Sequence, residues 1–481
     1  MKKLTALILA LVMVLSLAAC GGSGNDSGKD SSGSGTPSTS GNSNSNSNSD
    51  ASSDGKADDI VLWTLAADLK QFAERYEEQT GNHVEVVVFD SADFSTKIMQ
   101  TLGGRSKDVD VFVGEPQMLP NFFEAGFSAD LSALDSEVKS RLVDYTYEAG
   151  CDEDGVLRAI SYQACPGSVI YRLDLAEEVF GTSDPDEIAQ HFSSFDEIRA
   201  TAKTLSEHGY SIFGDTGSLR WFSTSSNPWV KDGQLIVDQD RLDYFDCAVD
   251  LYQNNYVAFA QEWSAPWYAS MAGPLPQLSA TDVDEGTVWG MDKDDLLAQG
   301  QAGGAGITQV FSYVMPSWGA LIIRDNAEGN MGNFGICSGV CGFFGGGTFL
   351  TVNEYSEHKD AAKQFIEFCT LNDDTAQWWL GASNGDVVSN KAVLEANSDF
   401  ENESFGNQHT YAFYLEEMEK IDYSLITGYD DTIKDAFGNA IISVQKGEQT
   451  KEAAMQEFYT TVTTLLPELT IPADAPFYSP N

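Results

Sequence analysis

The stretch IVLWTLAADLKQFAERYEEQTGNHVEVVVFD, residues 60–90, contains three successive patterns of apolar residues. Its first six residues are an apolar run of strand length, and apolar residues from Leu69 to Tyr76 then recur at helical spacing. Gly81 and Asn82 are a helix stop signal, and the β-branched run VEVVVFD predicts a second strand. A strand, a helix and a strand in this order are the repeating unit of an α/β protein with a mainly parallel sheet.

The same alternation continues after this stretch. A helix is predicted over residues 94–102, ended by two glycines, and VDVFVGE at 109–115 predicts a third strand. In parallel sheets ligands bind beyond the carboxyl ends of the strands, which directs attention to residues 63–68, Asp90 and Glu115. No glycine-rich phosphate loop follows the first strand, so a dinucleotide site is not expected.

Composition limits the classes of partner. The chain has 73 acidic and 27 basic residues and a formal net charge of −46. Nucleic-acid binding depends on Lys and Arg at phosphates, so this charge argues against it. A well-hydrated surface explains the acidity, and a cationic cargo remains an alternative.

The N-terminus has the layout of a secretory signal peptide. Two lysines precede a short apolar segment from Leu4 to Leu17, and LAAC resembles the lipobox of bacterial lipoprotein precursors. The resemblance implies that residues 1–19 are removed and that Cys20 is lipidated, with palmitate among the expected acyl chains. Residues 21–57 are rich in Ser, Gly and Asn and are predicted to be a disordered tether. The expected location is the extracellular face of the cell membrane.

The six remaining cysteines permit disulfides outside the cytoplasm. The two nearest pairs in sequence are Cys337 with Cys341 and Cys151 with Cys165, but spacing alone does not choose the pairing. A zinc site at CSGVC would need partners that the scattered histidines do not supply, so no metal is expected. No cofactor is expected either.

Further segments resemble a known family. They are VDVFVGE, AISYQACPGSVIYRLDLAEEVFGTSDPDEI, SFDEIRATAKTL, GGGTFLTVNEYSEHKDAAKQFIEFC, NGDVVSNKAVLE and GYDDTIKDAFGNAI. Together they resemble the extracellular solute-binding proteins of bacterial ABC importers, in the sugar-binding group that includes maltose-binding protein. The resemblance implies a two-lobed periplasmic-binding-protein-like fold of type II, with the ligand cleft between the lobes.

The resemblance also implies how the chain is divided. The first lobe is expected over 58–165 with a return over 343–376, and the second over 166–342 with 377–481 supplying its C-terminal helices. Crossings are expected at Pro166-Gly167 and at the three glycines 345–347, where the backbone can turn or approach a ligand closely. Cys165 replaces the threonine of the commoner QATPG pattern.

Several of the nine tryptophans lie in polar, loop-like contexts. A flat indole can cover the apolar face of a sugar ring, while carboxylates and amides hydrogen-bond its hydroxyls; most tryptophans in a body of this size are nevertheless expected in the core. Loop context and family position together select the candidate ligand-binding residues Trp63, Glu115, Tyr162, Gln163, Trp221, Trp267, Trp318, Gly346 and Asp386.

The predicted function is therefore a membrane-anchored, monomeric receptor that binds a carbohydrate, in particular an oligosaccharide, and delivers it to an ABC permease. No catalysis is expected. A peptide or polyamine cargo is one alternative, favoured by the negative charge. A surface glycoside hydrolase is another, since two carboxylates across a cleft could cleave a glycosidic bond.

Overall fold

The computed structural model describes residues 59–223, 226–303, 306–383 and 385–479, without the side chains of 91–93. The predicted signal peptide, Cys20 and the whole predicted tether lie outside these ranges. Among the helices described, none combines the length and the apolar character that a membrane crossing requires.

The first sheet has five strands and confirms the strand-helix-strand prediction. Its order is β2-β1-β3-β12-β4. The first three strands pair in parallel, and β12 runs antiparallel to both of its neighbours. The strands are β1 (Ile60–Thr64), β2 (Val84–Val88), β3 (Val111–Gly114), β4 (Ile160–Ser161) and β12 (Phe349–Val352).

The second sheet has three strands in the order β10-β5-β11, and β5 is antiparallel to both neighbours. They are β5 (Gly167–Arg172), β10 (Ser312–Pro316) and β11 (Phe334–Cys337). Three two-stranded pairs complete the sheets: β6 (Val230–Lys231) with β7 (Gln234–Leu235), β8 (Leu275–Pro276) with β9 (Ile307–Thr308), and β13 (Glu401–Asn402) with β14 (Gln408–His409).

Helices cover and connect the sheets. In the first half of the chain they are α1 (Leu69–Thr80), α2 (Ser91–Gly103), α3 (Leu119–Glu124), α4 (Asp135–Arg141), α5 (Asp144–Ala149), α6 (Leu173–Phe180), α7 (Pro185–Gln190), α8 (Phe195–Glu207) and α9 (Gln239–Gln253). In the second half they are α10 (Ala265–Ala272), α11 (Ala280–Asp284), α12 (Lys293–Gln301), α13 (Gly319–Asn326), α14 (Lys359–Thr370), α15 (Asp373–Ser383), α16 (Lys391–Ala396), α17 (Thr410–Met418), α18 (Asp430–Gln445) and α19 (Lys451–Leu465). Short 3₁₀ turns include Ser132–Leu134, Thr216–Ser223, Thr287–Gly290, Glu328–Asn330, Glu403–Phe405 and Tyr423–Leu425.

The first helix shows how local sequence sets its own limits. Its buried residues are Leu69, Phe72, Ala73 and Tyr76, the positions predicted from their spacing. Gly81 ends the helix with φ 77°, a left-handed conformation that costs glycine nothing. The predicted stop signal is therefore confirmed at the residue expected.

Two apolar clusters make up the core, and the second sheet lies between them. Because side chains alternate along a strand, Ile170 packs into the cluster of the first sheet while Val169 and Tyr171 pack into the other. All six residues of β5 are buried. Val169, Ile170 and Tyr171 supply the apolar centre of this doubly buried strand, while the Arg172 guanidinium at its end donates to the Asp174 carboxylate.

The backbone segments 165–167 and 343–345, where the resemblance leads us to expect the crossings, lie side by side and are hydrogen-bonded to each other. The Gly167 amide donates to the Phe343 carbonyl at 2.7 Å, and the Gly345 amide donates to the Cys165 carbonyl at 3.1 Å. A Cβ added to Gly167 would lie 2.1 Å from the Phe343 ring, so only glycine allows this approach.

Helix α15 (Asp373–Ser383) spans the boundary expected at residue 376 and packs on the first sheet's layer. The Trp379 and Phe72 ring centroids are 4.9 Å apart, and Trp378 meets the same phenylalanine edge-on at 5.3 Å. These ring contacts join α15 to the helix that follows β1.

The disulfides considered from sequence are not formed. Cys151, Cys165 and Cys337 are free thiols in the structure. Cys165 lies fully buried at the crossing, whereas Cys151 lies half-buried beside Tyr147, and burial raises the pKa of both thiols. Cys337 is buried within β11, and Cys341 packs against the second apolar cluster.

Candidate functional site

A large cleft opens beside the crossing segments. Its volume is about 2330 Å³, and residues of both sheet layers line it. The first-sheet side contributes residues 116–124 after β3. The other side contributes residues 215–221, the crossing at 342–346 and the face of α18. A concave site of this size between two layers is the expected place for a ligand.

Three tryptophans and one glycine meet at the crossing, and Trp221 and Gly345 among them line the cleft. The Trp318 indole N–H donates to the Gly345 carbonyl at 2.9 Å, and a Cβ on Gly345 would lie 2.2 Å from the Trp221 ring. Trp263 stacks on Trp318 with ring centroids 5.9 Å apart and planes 28° apart. We call these four residues the hinge platform. Gly346 follows it with φ 74°, in the left-handed region that favours glycine.

The Trp221 ring is held by partners rather than left free. Phe343 stacks on it at 5.6 Å, and the Arg220 guanidinium lies 4.6 Å from its centroid. Arg220 in turn donates to the Glu262 carboxylate at 2.5 Å. Burial raises the pKa of Glu262 to about 7, although Arg220 opposes the shift. Trp221 therefore forms a fixed wall of the cleft beside a guanidinium.

The structure exposes a different tryptophan from the one predicted in the QEWSAPWYAS segment. Trp267 is 1% exposed and packs edge-on against Tyr313, with centroids 6.2 Å apart, so it presents no open ring face for stacking on a sugar. Trp263 is 47% exposed and was not among our candidates. Both tryptophans belong to one loop-like stretch of sequence, but Trp267 lies on the buried side of α10, whereas Trp263 precedes that helix with a φ of 67°.

Tyr162, Gln163 and Asp386 lie beneath the cleft rather than in it. Asp386 is fully buried and accepts hydrogen bonds from the Gln163 amide and the Trp379 indole, both at 2.7 Å. The Thr348 hydroxyl donates to the side-chain carbonyl oxygen of Gln163 at 3.1 Å. The network ties together three segments of the crossing region, and these three residues are not among those that line the cleft.

Burial governs the charges in this network. It raises the pKa of Asp386 to about 6, while the hydrogen bonds from Gln163 and Trp379 oppose the shift. Burial also raises the pKa of Asp68, whose carboxylate accepts a hydrogen bond from the Tyr162 hydroxyl. Two buried carboxyl groups therefore lie close enough to interact at the crossing.

Trp63 and Glu115 lie at the ends of β1 and β3, as predicted. The half-buried Trp63 ring contacts Phe89 at 4.8 Å. Glu115 accepts a hydrogen bond from Gln117 at 2.5 Å, and burial together with the charge of Asp431 raises the pKa of Glu115. Since Asp431 lies in the first turn of α18, the carboxyl group at the end of β3 and a carboxylate of the cleft wall influence each other.

Within the described ranges, no group of three or more His, Cys, Asp or Glu side chains is arranged to hold a metal ion. The side chains at the cleft include indoles, amides, carboxylates, the Arg220 guanidinium and the ammonium groups of Lys434 and Lys446. Such groups bind by stacking and hydrogen bonding.

Sequence and structure comparisons place the chain in a family. Residues 71–403 match the family model described as bacterial extracellular solute-binding protein. The chain belongs to the bacterial extracellular solute-binding proteins. No curated protein sequence matches it. As members of this family are binding proteins, this solute-binding protein is not an enzyme, and the glycoside hydrolase alternative is set aside.

Solved structures share its fold at low sequence identity. The sugar-binding protein MalE of Xanthomonas citri is 15% identical, with 85% of this chain and 98% of that chain covered and a TM-score of 0.64. The galacto-N-biose/lacto-N-biose I-binding protein of Bifidobacterium longum, in complex with lacto-N-biose, is 15% identical over 87% and 100%, with a TM-score of 0.63. A binding protein from B. animalis subsp. lactis, in complex with β-1,6-galactobiose, is 17% identical over 86% and 100%, with a TM-score of 0.61. These likenesses show the two-lobed α/β fold, so the predicted fold class is confirmed.

Proposed function

We propose that this solute-binding protein binds a carbohydrate in its cleft and delivers it to an ABC permease. The observation that carries the proposal is the hinge platform, where Trp221 lines the cleft and, at the same crossing, Trp263 stacks on Trp318 and keeps about half of its surface open. An open indole offers an apolar face to the C–H groups of a sugar ring. Structural neighbours in complex with lacto-N-biose and β-1,6-galactobiose support the choice of cargo.

Binding in this proposal acts by closing the cleft. A ligand that touches both sides binds the closed form more tightly, which shifts the equilibrium between open and closed forms by that difference in affinity. The backbone crossings at 165–167 and 343–345 would absorb the motion. The Asp386 network beneath them keeps their relative geometry fixed.

A lipid anchor at Cys20 remains part of the proposal. The basic residues, the short apolar segment and LAAC support it. In a bacterial host grown with radiolabelled palmitate, the intact chain should carry label and fractionate with membranes, and Cys20→Ser should lose the label. An unlabelled intact chain would rule out the anchor.

The proposal is tested by thermal unfolding of the purified full chain with mono- and oligosaccharides. A ligand that binds only the folded form stabilises it by RT ln(1 + [L]/Kd), or about 2.7 kcal/mol at a hundredfold excess over Kd. If the cargo is a carbohydrate, one class of glycan should raise the midpoint temperature of unfolding, and that glycan should be recovered from the mixture uncleaved. If no glycan raises the midpoint while amino acids, peptides or polyamines do, the cargo is of another class.

A cationic cargo is the second candidate, and the cleft lining favours it. Asp215, Asp422 and Asp431 all face the cleft, and its lining carries more carboxylates than cations. Spermidine and basic peptides should then raise the unfolding midpoint, and the effect should weaken as salt is added because exposed charges are screened. A carbohydrate effect would be largely insensitive to salt.

A further inference from the structure

Helix α18 forms one long wall of the cleft. Asp431, Asp435, Gly438 and Ile442 line it, at intervals of three and four residues that place them on one face of the helix. The helix has 16 residues, so this wall is about 24 Å long at 1.5 Å per residue. The cleft is therefore elongated along the helix axis.

The hinge platform occupies only part of that length. The 3₁₀ segment Thr216–Ser223 carries Trp221 near the crossing, whereas its first residue lies at the opposite end of α18. There the Gln445 side-chain amide donates to the Thr216 hydroxyl at 3.0 Å. The cleft thus continues from Trp221 toward the C-terminal end of α18.

At that far end a second tryptophan lines the cleft. Trp289 is 60% exposed and Ile442 is 46% exposed, both among the large apolar side chains most open to solvent in the described residues. Val288 is fully buried and fixes the short turn that presents Trp289. An ion pair at 2.7 Å between Lys446 and Asp284, which also line the cleft, supplies polar groups there.

We infer that Trp289 and Ile442, beside the Lys446–Asp284 ion pair, form a second carbohydrate subsite for the distal units of an elongated oligosaccharide. This inference rests on the proposed carbohydrate function. An open indole next to charged hydrogen-bonding groups has the chemistry that a sugar ring needs, an apolar face and partners for its hydroxyls. Because the cleft is continuous, one linear chain can occupy both the hinge platform and this distal subsite.

The test compares oligosaccharides of increasing length. Linear glucans, galactans, mannans and xylans of two to six units are titrated calorimetrically against the full chain, the Trp289→Ala variant and the Trp289→Phe variant. In the unaltered protein, affinity should rise with length. In Trp289→Ala the loss should grow with length and reach at least tenfold for six units, or about 1.4 kcal/mol, and Trp289→Phe should restore part of it.

The matched control is Met331→Ala, which truncates another exposed apolar side chain that does not line the cleft. It should leave every dissociation constant unchanged, and thermal unfolding should show that all three variants fold. If glycans bind but Trp289→Ala changes long and short ligands equally, or changes neither, the distal subsite is refuted while the proposed function stands. If no glycan binds the unaltered chain, the proposed function itself fails.

Discussion

Replacing Asp386 with asparagine should change how the stability of the protein depends on pH. This carboxyl group is fully buried, and its partners are the Gln163 amide, the Trp379 indole and the Val387 amide, which donates to it at 2.9 Å. All three are neutral. The substitution keeps the shape of the side chain and removes its ability to ionise.

The magnitude follows from the shift in pKa. Burial raises the pKa of Asp386 from 3.8 to about 6, so the folded state holds this proton more tightly than the unfolded state. Between these two values the folded state binds more protons, and the free energy of unfolding therefore falls as pH rises. At 1.36 kcal/mol per pKa unit, ionisation of Asp386 lowers the free energy of unfolding by about 3 kcal/mol. The free energy of unfolding is unaffected below about pH 4, and the full decrease is reached above the folded-state pKa.

The assay is urea unfolding followed by tryptophan fluorescence between pH 4 and pH 8, on the unaltered chain and on Asp386→Asn. The stability difference between the two should shift by about 3 kcal/mol in favour of the variant as pH rises through this range. Asp399→Asn, which alters an exposed aspartate, serves as the control and should follow the unaltered chain. If the stability difference between the two proteins stays constant with pH, the conclusion that burial raises the pKa of Asp386 is refuted.

Two further predictions concern the hinge platform. Gly345→Ala should destabilise the fold by about 1–3 kcal/mol and weaken ligand binding, since the added methyl group would lie 2.2 Å from the Trp221 ring and displace it. The control is Gly381→Ala, at an exposed helical site with open space around it, which should stabilise the fold by up to about 1 kcal/mol. Urea unfolding measures both changes in stability. Glu262→Gln should abolish a fluorescence change of Trp221 centred near pH 7, because in the unaltered chain protonation of Glu262, whose pKa is about 7, weakens its ion pair with Arg220. Equal fluorescence titrations in both proteins would contradict this coupling.

The order of strands and helices at the start of the body could be predicted from local sequence. Apolar spacing and stop signals placed the first helix to within a residue, because each helix or strand buries one face and its pattern records which face. The resemblance supplied the two-lobed arrangement and the position of the crossings. The packing of α15 against Phe72 was not predictable in this way, since it depends on contacts between residues about 300 positions apart in sequence.

The candidate site was predicted less completely than the fold. Trp221, Trp318 and Gly346 were named from loop context and family position, and in the structure Gly345 brings the two tryptophans together beside Gly346. The same reasoning selected Trp267 as a ligand-binding residue, although it is buried, and did not select Trp263, which is exposed. Loop composition shows that an indole lies near a surface, but it does not show which ring face the neighbouring strand covers.

Local periodicity in the sequence indicated the α/β class, and composition showed which residue types are available to bind a ligand. The segments expected to cross between the two layers came instead from the family resemblance. The folded arrangement was needed to show which side chains face the cleft and which carboxyl groups are buried, as with Asp386. Exposure and pKa depend on every neighbour in space, and most of those neighbours are distant along the chain.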